Sequence, residues 1–509
     1  MRRLLISAAA AAVAAAVVLI FVSPGGSPQR PSRKPTPLPP GTQAITVGAP
    51  LAVQPIRPGF LGLSFEYSAI ESYAGTNPGA IDPVFEQLIR NLVPGQAPVI
   101  RIGGDTTDHT WWPVAGLQPP GGIKYTLDDR WLEVTRALAR ALGAKLILGI
   151  NLEADSPVLA AAETRALLDG IGRGSIEALE PGNEPELYGI FTWYRTPSGL
   201  DVKGRPHDYD LAQFTRDFST LTHALPAIPI AGPTIGAPKW FHNLGAVLAA
   251  DPRIQLVTLH RYPTQYCFAR PGRANYPTIG HLLSSFASTG MAGTVAKDVA
   301  LAHAHGLPLR IDEMNTISCG WDPAVGYTFA SALWSIDALF AMAEVGVDGV
   351  NIHSFPTSTC SLFAFANTNG RWRAFVEPEY YGLMMFAQAA PPGSTLLHIT
   401  GAAPGGLRAW ATRAPDGRIR VVLLNESPTR ALTIAVKSPG SAEGPATLER
   451  LQAPSLSADR GVTLGGQSFG SATLTGVLQG PRQVEPIPDR QGRFLVPLPS
   501  GSAALLTFA

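Results

Sequence analysis

Charge is scarce in this sequence and almost balanced: 39 basic and 38 acidic side chains leave a formal net charge of +1, and only 15% of the 509 residues are charged. No Lys/Arg block interleaved with aromatics follows the N-terminal tail, so the electrostatic footprint of a nucleic-acid-binding protein is missing and no nucleic-acid partner is expected. Cysteine is nearly absent. Three thiols, Cys267, Cys319 and Cys360, permit at most one disulfide and leave one cysteine over. There is no Cys-x-x-Cys spacing, and the first candidate strand offers Leu63-Ser64-Phe65 where a metal-dependent barrel hydrolase would place a His-x-His, so neither a metal nor another cofactor is expected. No cysteine follows the N-terminal apolar run, which excludes a lipoprotein anchor.

What is plentiful is apolar residues, 45% of the chain, enough to bury one large core and one smaller one. Arg2 and Arg3 precede a run from Leu4 to Val22 with a single polar member, Ser7, the layout of an export signal. The run nearly matches the roughly 20 residues needed to cross a bilayer. Residues 1–23 are therefore expected to act as a signal peptide or an N-terminal membrane anchor, and the protein as secreted or tethered in the cell envelope. Residues 24–41, rich in Pro, Gly and Ser, read as an extended spacer.

Eight short apolar or β-branched runs follow, at 59–67, 98–104, 145–153, 175–186, 228–235, 254–263, 307–315 and 347–356. Between them lie helical patterns such as 127–142 and 327–345. Strand and helix alternating eight times predict a (β/α)8 barrel, class α/β, over 59–390. Beyond it, runs of alternating polarity between Gly/Pro/Asn/Asp turns predict an antiparallel β-sandwich over 391–509, to which a strand in 42–58 is expected to add an edge.

Polar residues collect where the barrel runs end: Glu66, Asp105, Asn151, Glu184, His260, Tyr262, Glu313 and His353. That is the barrel face on which active sites are built. Glu184 closes the fourth run in Glu180-Pro181-Gly182-Asn183-Glu184-Pro185-Glu186, and Glu313 closes the seventh in Arg310-Ile311-Asp312-Glu313-Met314-Asn315. Strands four and seven of a closed barrel face each other across the pocket, a placement that suits the two carboxylates of a glycosidase. Strict alternation would turn Asp312 to the opposite strand face from Glu313, leaving Asp312 and Glu186 as decoys.

Asn183-Glu184-Pro185 after strand four with a Glu after strand seven resembles the clan of retaining barrel glycosidases. Together with Arg101-Ile102-Gly103-Gly104-Asp105-Thr106-Thr107-Asp108 after strand two and His260-Arg261-Tyr262 after strand six, it resembles glycoside hydrolase family 79, the β-glucuronidases and heparanase-like enzymes. The resemblance implies Glu184 as acid/base, Glu313 as nucleophile, Asn183 on the substrate 2-hydroxyl and Tyr262 on the nucleophile, and a glycoside or oligosaccharide as partner. For Tyr262 an aromatic simply packed over the barrel mouth is the competing account. His260 and His353 are candidate donors to sugar hydroxyls, and Glu66 and Asp105 candidate acceptors; structural hydrogen bonds or caps are the alternatives for all four. Trp111, Trp112, Trp193 and Trp321 are candidate stacking platforms, with ordinary packing expected for at least half of them.

The family's glucuronidases carry Tyr-Gly-Gly after the nucleophile, which binds the sugar carboxylate. This chain reads Ser318-Cys319-Gly320-Trp321 there. Arg261 or Arg195 would be the substitute, pairing bidentately with a uronate; without one, the substrate is a neutral β-glycoside of an envelope or extracellular glycan. A catalytically silent carbohydrate-binding barrel is the reading from another class. Cys319 is expected to pair with Cys267 or Cys360 and pin a loop over the site.

Overall fold

The computed structural model describes residues 38–320, 322–356, 358, 361–401, 406–438 and 445–508. The leader, most of the spacer, Trp321 and Cys360 lie outside the described residues. Among the described residues no helix is long and apolar enough to cross a membrane.

Eight parallel strands close a barrel: strand one Leu61–Glu66, two Val99–Gly103, three Lys145–Ile150, four Ile176–Pro181, five Ile230–Ile235, six Ile254–Arg261, seven Leu309–Met314 and eight Gly349–His353. All eight fall within the runs expected from the sequence. Most positions are buried on both strand faces, because helices cover the outside and side chains fill the inside, which is why these strands read as continuous apolar runs. Val99, Ile147, Ala178, Ala231 and Leu256 form an interior apolar layer. Val99 lies two residues before Arg101 on the same strand face, so this layer floors the charged level where the site is built.

The crossover helices begin and end where sequence chemistry dictates. In Asp129–Leu142 the Asp128 side chain accepts from the Trp131 amide, and Gly143 closes the helix in the left-handed conformation. Its buried stripe is Trp131, Leu132, Val134, Thr135, Leu138, Ala139 and Leu142, the helical period that marked it in the sequence. Phe329–Glu344 is different, being buried all round. It is covered by the last barrel helix, Pro378–Ala389, and by the C-terminal sheet: Phe340 meets Phe386 at 4.9 Å and stacks on Trp410 at 5.6 Å, while Trp410 donates to Asp337 at 2.7 Å.

The C-terminal part is one continuous, antiparallel-rich sheet of ten strands. In order these are Thr463–Leu464, Ala446–Gln452, Ser502–Phe508, Ile419–Asn425, Leu407–Arg413, Thr395–Gly401, Gln43–Pro50, Leu432–Lys437 and Arg493–Leu498, with Glu485–Ile487 paired to Ala446–Gln452. Residues from both ends of this order share one core, including Leu448, Leu506, Val436 and Phe494, so the sheet curls around it. The other face packs on the barrel. Val421 and Leu423 point into the sheet's own core and Val422 and Leu424 into the barrel-side core, and clean alternation is lost for that reason. The N-terminal strand spans only Gln43–Pro50 and lies inside the sheet, antiparallel to Thr395–Gly401 and parallel to Leu432–Lys437, instead of at its edge.

Candidate active site

The site is assembled at the C-terminal ends of the barrel strands around Arg101. This side chain is fully buried in strand two and meets five partners: Glu180 at 2.6 Å through Nε, Glu313 at 2.5 Å and Ser64 Oγ at 3.3 Å through Nη1, Asn183 Oδ1 at 2.9 Å through Nη2, and Asp312 at 3.4 Å. The sequence placed Arg101 in a motif but gave it no task. A guanidinium between Ile100 and Ile102, in a strand buried on both faces, is tolerable only with several carboxylate or amide partners, and that requirement was the available signal.

Asp312 does not turn away from the site. Along strands six and seven, Leu259 pairs with Ile311 and His260 with Glu313, so one residue is skipped, and the pairing with strand eight jumps from Ile311 to Met314. This bulge lets consecutive carboxylates face the interior, and the expectation that Asp312 would point to the opposite face is overturned by it. Asp312 sits beside Arg101 and 3.6 Å from His260 Nε2. Burial, and then the charge of Glu180, push its carboxyl well above the usual range. Burial also opposes the charge of Glu180, but Arg101 outweighs it and holds that group low. Two buried carboxyls thus lie against one guanidinium, Glu180 at 2.6 Å and Asp312 at 3.4 Å, and the nearer one takes most of its charge.

Glu313 is buried, which works against its charge, yet His353, His260, Arg101 and the Tyr262 hydroxyl together hold its carboxyl well below the usual carboxylate range. Tyr262 donates to Oε1 at 2.9 Å, while Oε2 faces Arg101 and lies 3.8 Å from His260 Nδ1 and 3.9 Å from His353 Nδ1. Across the cleft, Glu184 stands in a left-handed backbone conformation, φ 46° and ψ 56°. Its amide donates to the Thr234 carbonyl at 3.1 Å, and its Oε1 lies 3.2 Å from His260 Nδ1. Gly236 passes so close that a Cβ there would strike the Glu184 carboxylate. Oxygens of Glu184 and Glu313 and a ring nitrogen of His260 lie within 4.8 Å of one another.

Asp108, which the sequence reading did not select as a site residue, clamps the turn that carries Asn183 and Glu184. It accepts from the amides of Asn183, Leu152 and Glu153 at 3.0, 2.9 and 3.1 Å, and from the Tyr188 hydroxyl at 2.6 Å. Asn183 in turn donates to Asp105 at 3.3 Å. Asp105 is open to the cleft but enclosed on its other sides; that enclosure and the nearby Glu66, Glu184 and Glu313 push its carboxyl up, an effect the cleft solvent moderates. Glu66 accepts from the Thr106 amide and hydroxyl at 2.8 and 2.5 Å and from the Asp105 amide at 3.2 Å. His353 lies 2.9 Å from Ser64 Oγ and 3.4 Å from Glu66.

The remaining candidates are placed elsewhere. Glu186 is buried against the amides of Gly236 and Ala237. Arg195 is an exposed partner of Asp201 at 2.7 Å. Arg261 leans on the Phe241 ring at 5.8 Å and reaches the Gly236 carbonyl at 3.4 Å, on the strand-five side of the cleft; burial lowers it to about 10, with Glu184 opposing. Trp111 is buried with its indole N–H on Thr126, and Trp193 donates to the Asp108 carbonyl and covers Gly122, so both serve packing. Asn151 holds the carbonyls of Asp108 and Thr110. The disulfide joins Cys267 to Cys319.

His353 gives a pH prediction. Burial works against its charge, but Glu313 and Glu66 outweigh that and raise its pKa above the ordinary 6.5. A raised pKa means that protonation stabilises the fold fully below the unfolded value, and that this contribution is lost as pH rises through the folded value. Thermal melting of wild type and His353→Gln at pH 6 and pH 9 is expected to show a larger gap at pH 6; a gap that widens toward pH 9 would contradict the charge assignment.

Residues 409–505 match the glycosyl hydrolase family 79 C-terminal beta domain. No curated protein matches the chain. Among solved structures, a 4-O-α-L-rhamnosyl-β-D-glucuronidase from Fusarium oxysporum 12S is similar over 91% of this chain and 100% of its own, at 20% identity and a TM-score of 0.70. The GH51 arabinofuranosidase from Xanthomonas axonopodis pv. citri aligns over 92% of this chain and 100% of its own, at 14% identity and a TM-score of 0.64. The GH51 α-L-arabinofuranosidase from Thermotoga petrophila RKU-1 covers the same shares at 16% identity and 0.61. At these identities the structures speak for the fold. The chain thus carries, behind a closed (β/α)8 barrel, a domain over residues 409–505 that matches the C-terminal β domain of glycosyl hydrolase family 79.

Proposed function

We propose that this protein is an exported retaining glycoside hydrolase acting on β-linked sugars, with Glu313 as nucleophile and Glu184 as general acid and then base. The observation that carries this is the carboxylate pair at no more than 4.8 Å, close to the roughly 5–5.5 Å of retaining enzymes and well short of the roughly 6.5–9.5 Å that leaves room for water in inverting ones. The surroundings differ in the required sense. Arg101 and Tyr262 keep Glu313 ionised and fixed in orientation, while Glu184 is the member open to the cleft, its side chain 22% exposed.

In the first step Glu313 attacks the anomeric carbon as Glu184 protonates the departing oxygen. The glycosyl ester formed on Glu313 is then cleaved by a water from which Glu184 takes a proton. Asn183, whose amide is oriented by Arg101 and Asp105, takes the role of holding the 2-hydroxyl as charge develops on the ring.

A β-glucuronide is the substrate suggested by the family resemblance and by the rhamnosyl-glucuronidase among the similar folds. A neutral β-glycoside is favoured by a different observation: Glu66 and Asp105, on the strand-one and strand-two side of the cleft, are acceptors suited to sugar hydroxyls and offer no cation to a uronate carboxylate. A screen of aryl β-glucuronide, glucoside, galactoside and xyloside separates the two. Hydrolysis of the glucuronide supports the first, hydrolysis of a neutral glycoside alone the second, and silence on all four the non-catalytic reading.

Glu184, His260 and Glu313 also form a geometry able to hold a divalent ion. An ion there would have to displace Arg101 or Tyr262 from the Glu313 oxygens. Activity is therefore expected to be unchanged after dialysis against a strong chelator, whereas loss restored by Zn²⁺ or Mn²⁺ would point to a metal mechanism.

A further inference from the structure

The two walls of the cleft differ in chemistry. On one side strands one, two and eight present Glu66, Asp105 and His353, groups suited to a hydroxyl-rich ring. Strands four, five and six are neighbours on the other side, and the loops after four and six carry exposed aromatics. Phe191 is 40% and Phe268 56% exposed, and their rings meet at 5.7 Å with an interplanar angle of 42°. Ile190, 38% exposed, precedes Phe191.

Both rings are held on the catalytic machinery. From Glu184 the chain runs through hydrogen-bonded turns, Leu187 N to Glu184 O at 2.8 Å and Phe191 N to Leu187 O at 3.0 Å. Phe191 therefore lies seven residues beyond Glu184, on a segment whose turns hydrogen-bond back to the Glu184 carbonyl. Lys203 fastens this segment by donating to the carbonyls of Gly189 and Ile190 at 3.2 and 2.8 Å. Phe268 follows Cys267, which is bonded to Cys319 in the loop after the nucleophile strand. A parallel pairing of Thr264–Gln265 with Ile317–Ser318 stiffens the same junction. Exposed phenylalanines on so constrained a frame are not accidents of a loose loop.

We infer that Phe191 and Phe268 form the leaving-group subsite, and that the leaving group it takes is apolar, an alkyl or aryl aglycone. The inference rests on the assignment of Glu184 as acid, since an acid must face the departing oxygen and the leaving group must therefore extend along the Glu184 side, toward these rings. Two tilted phenyl rings make an apolar notch, whereas a second sugar would be met by a flat ring bearing a polar handle.

Octyl and methyl β-glycosides of the sugar identified by the screen share the same kind of alkoxide leaving group, so the ratio of their kcat/KM values reads binding beyond the oxygen. Used below the micelle threshold, the octyl compound is expected to be favoured by ~10-fold or more. The Phe191→Ser/Phe268→Ser variant, checked for an intact melting transition, should lose most of that preference through KM. A wild-type ratio near one, or an unchanged ratio in the variant, overturns the inference. Loss of sedimentation with phosphatidylcholine vesicles in the variant at an unchanged ratio overturns it too, assigning the rings to a lipid surface. If wild type hydrolyses no glycoside at all, it is the hydrolase reading that fails; calorimetric titration with octyl and methyl β-glucosides then decides the subsite separately, with equal affinity counting against it.

Discussion

Replacing Glu313 by Gln is expected to lower kcat by on the order of 10⁵-fold while leaving the fold intact, since the amide fills the same space but has no anionic oxygen to form the ester. With its amide oxygen turned to Arg101, the Gln side chain can donate from its NH2 to the Tyr262 hydroxyl oxygen, so neither contact is left unpaired. Glu184→Gln behaves differently. Substrates whose leaving groups need no proton should retain much of the first step, and turnover should stall at the glycosyl-enzyme. With the smaller Glu184→Ala, azide should restore turnover and yield a glycosyl azide of retained configuration, because an anion can then enter where the carboxylate stood. If Glu313→Gln keeps ordinary turnover, or azide rescue belongs to Glu313 variants with retention, the roles assigned to the two carboxylates are wrong.

The second large effect is on Arg101. Its removal as Arg101→Met leaves Glu180, Glu313 and the Asp312 carboxyl without their shared cation in a fully buried setting. Breaking such an arrangement costs about 3–5 kcal/mol, to be read by chemical denaturation. Arg101→Lys keeps the charge but cannot reach Glu180, Glu313 and Asn183 with one planar fork. It should therefore recover part of the stability but little of kcat. A further sign distinguishes loss of charge from simple misfolding: the Glu313 carboxyl is held low partly by Arg101, so in Arg101→Met the acid limb of the kcat profile should move to higher pH. An Arg101→Met protein with wild-type stability and an unmoved acid limb would remove Arg101 from the account.

Much of the barrel was legible because a strand buried on both faces leaves a compact apolar run that stops at polar residues, as in Leu309–Met314. The site's coarse placement followed from the same stops. What could not be read was anything set by register or by neighbours distant in sequence. The skipped residue between Leu259–Ile311 and His260–Glu313 turns Asp312 inward, and no alternation rule carries that signal. Arg101 and Asp108 lay inside a recognised motif, but their tasks depend on Glu180, Glu313, Asn183 and Tyr188, brought in from other strands and loops. Trp111 and Trp193 looked like sugar platforms until the loop packing around Thr126 and Gly122 showed both occupied. In the C-terminal sheet, Val421 to Leu424 alternate between two apolar environments, and the doubled burial hides the period that a one-faced sheet would show.

The most direct test of the central claim is to trap the intermediate. A 2-deoxy-2-fluoro glycoside with a good leaving group, made with whichever sugar the screen identifies, slows hydrolysis of the glycosyl ester enough for the labelled protein to be digested and its peptides weighed. One added glycosyl mass per chain is expected, on the peptide that contains Glu313 and localised to that residue. A label on Asp312 or Glu184, or steady hydrolysis with inversion and no label at all, would contradict it.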